Sequence, residues 1–106
     1  MFARKVSITL KHNTAKDFTR KMDTDVIPLL RKQNGFQDEI MLTANDGKHA
    51  VGISLWDTRE NAEAYQRGTY PQVLKLVGEL TDGAPQVESY EVSNSTFHKI
   101  LAPAHT

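Results

Sequence analysis

A period of two governs the first ten residues. Phe2, Val6, Ile8 and Leu10 share one parity, with Arg4 as the charged exception, while Lys5, Ser7 and Thr9 share the other, which predicts a strand with one face turned inward. From Thr14 the period lengthens to that of a helix, carried by Phe18, Met22, Val26, Leu29 and Leu30. Thr14 followed by Asp17 resembles a capping box. The helix is expected to run to about Asn34 and to kink near its last two turns. Pro28 has no amide to offer the Thr24 carbonyl and its ring crowds that carbonyl. Gly35, after Arg31 and Lys32, is the expected left-handed stop.

Residues 36–44 and 48–56 read as two further strands joined by Asn45-Asp46-Gly47, whose side chains and glycine tolerate the positive φ of a tight hairpin. In the third strand Val51, Ile53 and Leu55 share one face and Ala50, Gly52, Ser54 and Trp56 the other, so neither face reads as solvated. Thr58 is a helix cap, and the helix it opens should end or bend at Gly68. Pro71 starts a second piece with the stripe Tyr70, Val73, Leu74, Val77 and Leu80. Asp82-Gly83-Ala84-Pro85 reads as a closing loop, and residues 86–95 as the last strand. Residues 1–95 therefore form the domain. In the tail, 96–106, Phe97, Ile100 and Leu101 are too apolar for a free terminus, so it is expected to dock on its own or a partner subunit.

The order β, α, β, β, α, β predicts an α+β, ferredoxin-like fold: a four-stranded antiparallel sheet with helices on one face. Because the uncovered face is also apolar, a homodimer is the simplest closed solution. Composition narrows the rest. At 106 residues the chain makes one domain with a core of its own. With 13 basic and 13 acidic residues its formal charge is zero, which speaks against a nucleic-acid or anionic-membrane partner. It has no cysteine, which fits a reducing, cytoplasmic setting. The start lacks the apolar core of a signal peptide, and no apolar run approaches a membrane span, so a soluble protein is expected.

Two stretches, IPLLRKQNGF at 27–36 and LWDTRENAEAY at 55–65, resemble the antibiotic-biosynthesis-monooxygenase superfamily of dimeric α/β barrels. They look like its helix-to-strand turn and its tryptophan-ended third strand leading into the second helix. The resemblance spans residues 3–95. It implies a pocket between sheet and helices, and it implies cofactor-independent oxidation of quinols or polyketide-like aromatics. The superfamily's haem-degrading branch carries Asn, Trp and His where this chain has Val6 or Ser7, Tyr65 and Lys75, so no haem and no other cofactor is expected.

The ligand-binding candidates are Trp56, Tyr65 and Tyr70. The two tyrosines flank the helix break at Gly68, where their hydroxyls can meet a quinone or phenolate oxygen; Trp56 reads first as packing beneath the helix. His49 and Tyr65 are the catalytic candidates, with His49 as acceptor of an enol or phenol proton. His12, His49, His98 and His105 show no metal-ligand spacing. Arg4 and Lys5 read as solvated or paired charges. Two functions follow: a cofactor-independent monooxygenase acting on a small aromatic or quinol, or a non-catalytic homodimer that binds a small apolar molecule or serves in stress response.

Overall fold

The computed structural model describes residues 1–100; Leu101 and His105 lie outside the described residues. The elements are β1 (Phe2–Leu10), α1 (Ala15–Lys21), a π turn (Met22–Val26), α2 (Ile27–Arg31), β2 (Phe36–Thr43), β3 (His49–Trp56), α3 (Arg59–Gly68), α4 (Tyr70–Val77), a 3-10 turn (Gly78–Leu80) and β4 (Thr81–Glu91). The strands form one antiparallel sheet in the order β2-β3-β1-β4. This is the α+β, ferredoxin-like arrangement that the alternation of periods predicts.

The helices cover the face of β3 that carries Ala50, Ser54 and Trp56. Trp56 and Phe18, both 0% exposed, sit at the centre of that layer with Val26 and Leu30. Removing such side chains from water supplies roughly 1.5–3 kcal/mol each. On the other face Val51, Ile53 and Leu55 are half-buried. Their neighbours Ile40, Leu42 and Tyr90 are 38%, 52% and 49% exposed.

Three local expectations are corrected. Thr14 does not cap α1: its hydroxyl lies between the carbonyls of Lys11 and Leu80, at 2.7 and 3.0 Å, which share its one proton, and so ties the β1 end to the 3-10 turn. The first helix is not a bent α-helix but two α segments separated by the π turn, in which the Ile27 amide donates to the Met22 carbonyl. Pro28 follows at once, and the absence of its amide is what the wider turn accommodates. Finally, residues 82–85 lie inside β4. Gly83, at φ 71°, forms a bulge where the register with β1 shifts between Ser7 and Thr9. β4 is an edge strand, where a bulge and Pro85 are tolerated.

The hairpin, the Gly35 stop at φ 77° and the Thr58 cap, which accepts the Asn61 amide at 3.2 Å, form as expected. After β4 the chain crosses the sheet end, and His98 hydrogen-bonds the Asp38 carboxylate on β2. Phe97 is 70% exposed.

Candidate functional site

A cavity of about 50 Å³ lies between the sheet and the helices. Its wall is mostly apolar, and the polar exceptions are Arg4, Glu39, Ser54, Tyr65 and Tyr70. The strand register sets three of them in a row. Arg4 on β1 and Glu39 on β2 both pair with Ser54 on β3, so all three point to the helix side. Cation and carboxyl thus stand two strand spacings apart, roughly 10 Å between backbones, and among the described residues they form no ion pair.

Arg4 is 4% exposed. Its guanidinium lies over two phenol rings, 5.0 Å from the Tyr65 centroid and 4.6 Å from that of Tyr70, and it donates to the Gln66 side-chain oxygen. Burial draws its pKa below the usual arginine value, while the two tyrosines and Glu39 oppose that shift; it remains a cation. Burial pushes the Glu39 carboxyl up to about 7, with Arg4 opposing. Both phenols are raised by burial, again against the pull of Arg4, and so keep their protons as hydrogen-bond donors. Among the described residues the Tyr70 hydroxyl is buried without a hydrogen-bond partner of good geometry, although the Arg4 guanidinium lies close by. Such an orphan normally costs about 1–3 kcal/mol.

The helix break brings Tyr65 and Tyr70 together, with ring centroids 5.9 Å apart. Thr69 falls between α3 and α4, and Pro71 starts the second segment, so the tyrosine before it turns back over the sheet. Trp56 stands behind Tyr65 at 5.1 Å, donates to Ser54 Oγ at 2.9 Å and meets Phe36 edge-on. It supports the wall without reaching the cavity surface. His49 must be corrected. Its side chain is 59% exposed at the hairpin, bound to Asp46 at 2.8 Å, and it lies outside the cavity wall. The hairpin turns it outward because its parity opposes that of Ala50, Gly52, Ser54 and Trp56. No group of His, Asp and Glu among the described residues is arranged to hold a metal.

Sequence reasoning passed over Glu39 and read Arg4 as solvated. One signal was present, since Arg4 shares the parity of Phe2 and Ile8; that Glu39 and Met41 lie opposite Ser54 and Gly52 comes from the strand register alone. A strand glycine marks a close approach.

No family model matches the chain, and no curated protein does. Solved structures do. A monooxygenase from the ActVA-Orf6 gene of Streptomyces coelicolor, in complex with nanaomycin D, superposes with a TM-score of 0.76 at 15% identity, over 96% of this chain and 92% of that one. SnoaB, a cofactor-independent oxygenase from Streptomyces nogalater, gives 0.72 at 13% identity over 90% and 95%. A protein assigned as an antibiotic biosynthesis monooxygenase from Bordetella bronchiseptica gives 0.73 at 20% over 88% and 98%. At these identities the likeness establishes the fold, and the chain is built on the scaffold that these structures share.

Proposed function

We propose, from that scaffold and from the cavity's own groups, that the protein is a cofactor-independent monooxygenase acting on a small aromatic or quinol. The observation that carries the reading is the buried Arg4 guanidinium seated on Tyr65 and Tyr70 with the Glu39 carboxyl across the same cavity. An apolar pocket with a fixed cation, two neutral donors and one carboxyl that titrates near 7 suits a flat molecule that must lose a proton. Glu39 takes that proton. Arg4 and the orphaned Tyr70 hydroxyl hold the oxygen on which the negative charge settles, a role that preorganised donors fill well in a dry site. The delocalised anion then gives an electron to dioxygen, and a carbon–oxygen bond forms as a hydroperoxide. Loss of water from it leaves a carbonyl. A CH₂ group and O₂ become C=O and H₂O, with all four electrons drawn from the substrate. Roles first assigned to His49 pass to Glu39, and Tyr65 becomes a binding rather than a catalytic group.

The same reading includes a homodimer closed across the apolar sheet face. A second reading, a non-catalytic protein, is favoured by the cavity volume of about 50 Å³, well below the roughly 150 Å³ that holds benzene, since a ring finds no room there unless the wall moves. Oxygen uptake with an anthrone or quinol separates the two. The wild type should consume oxygen and yield product heavier by one oxygen and lighter by two hydrogens. Arg4→Met and Glu39→Gln should lower kcat/KM by about 10²–10⁴-fold. Uptake equal to that of buffer would leave only the non-catalytic reading, and uptake above buffer but unchanged in both variants would overturn the roles given to Arg4 and Glu39.

A further inference from the structure

We infer that Met22 and Met41 form the gate through which ligands reach the cavity and set the size of the ring it admits; the inference rests on the cavity being the ligand site. Beside the cavity, a surface groove of about 530 Å³ runs between α1, the π turn and β2. Met22 and Met41 are the residues common to both walls, so their side chains are the partition between inside and outside. At about 50 Å³ the cavity is too small for a single aromatic ring. Any ring must therefore displace part of the wall, and the partition is its softest part. Both side chains are unbranched thioethers with three rotatable bonds.

Each stands on a yielding support. Beneath Met41 is Gly52, where a Cβ would come within 2.9 Å of the Met41 methyl and 3.0 Å of the Glu39 carboxylate. The missing side chain lets Met41 lie across β3 beside Glu39, so a ligand passing the gate arrives at the carboxyl. Met22 opens the π turn, the segment that lacks a Pro28 amide. There Thr24 bonds back to the Arg20 carbonyl at 3.0 Å, an arrangement that bends helices. Wide turns of this kind recur at functional sites.

Benzene is the probe that tests the gate, because it has no acidic proton and is not oxidised. Its exchange is measured by saturation-transfer NMR on the full chain. Met41→Ala should raise the association rate by roughly tenfold or more, and Met41→Phe should lower it by a similar factor. Two results overturn the gate: Met41→Ala taking up no benzene, or both variants exchanging it at the wild-type rate. A gate that responds as expected in a protein that oxidises no quinol keeps the gate and removes the activity. Quinol oxidation with benzene exchange indifferent to Met41 does the reverse.

Discussion

Lys5 and Arg4 are consecutive on β1, and the parity between them decides everything about their chemistry. Lys5 faces Glu88 at 3.8 Å in a pair whose side chains are 40% and 51% exposed, an interaction worth at most about 1 kcal/mol. Arg4 enters the core and, with Glu39, lines the cavity of the candidate site. The single charge on an apolar face was visible in the sequence; what the sequence lacked was the register that sets Glu39 two strands away on the same face. The Glu39 carboxyl carries a pH signature. Its pKa stands at about 7 in the fold against 4.5 in an open chain, so the native state holds a proton that the unfolded chain has lost. Stability from this group is fully present below about 4.5 and is lost as pH rises through 7. Glu39→Gln should therefore gain on the wild type with rising pH, by up to about 3 kcal/mol, in urea titrations at about pH 5 and about pH 8. A stability gap that does not change with pH would mean that Glu39 is solvated. For the proposed oxidation, kcat/KM should rise with an apparent pKa near 7 and lose that rise in Glu39→Gln.

Elements were legible where one period ruled and were not where two competed. The buried residues of the first helical segment, Phe18, Met22, Val26 and Leu30, recur every four positions. On an α-helix that spacing drifts by about 40° per step, and the π turn winds the stripe back onto the core. Pro28 announced an irregularity without revealing its kind. β4 was misplaced because Asp82, Gly83, Ala84 and Pro85 are turn-forming residues, and only the pairing with β1 shows that they make a bulge. Glycines test how much of a junction is held by geometry alone. Gly35 joins α2 to β2 at φ 77°, its carbonyl accepts the Asp57 amide at 2.9 Å, and a Cβ there would meet Asp57 Oδ1 at 2.0 Å. Gly47 has a similar φ of 69° with open space around it. Gly47→Ala should cost about 1–2 kcal/mol from the left-handed backbone alone. Gly35→Ala should cost clearly more, and equal costs in thermal or urea melts would show that the Asp57 side chain yields freely.

The body formed by the described residues is thin for its length. Its extents are 47 × 28 × 21 Å and its radius of gyration is 14.3 Å, against about 13 Å for a compact chain of this size. The shape follows from one sheet carrying helices on one side, while Ile40, Leu42, Val51, Ile53, Leu55 and Tyr90 lie on the other. An apolar sheet face of this kind is unusual on a stable monomer, and a second copy turned by a two-fold axis would supply its missing layer. Leu42 is the most exposed aliphatic residue on that face at 52%, so a charge there costs little within one subunit and much between two. Leu42→Lys should convert a sedimenting dimer to a monomer while leaving the circular dichroism of the fold intact. Because the cavity opens on the helix side of the sheet, that monomer should still exchange benzene through Met22 and Met41. A wild type that sediments as a monomer, or a Leu42→Lys variant that remains dimeric, would show that this face is not the interface between copies.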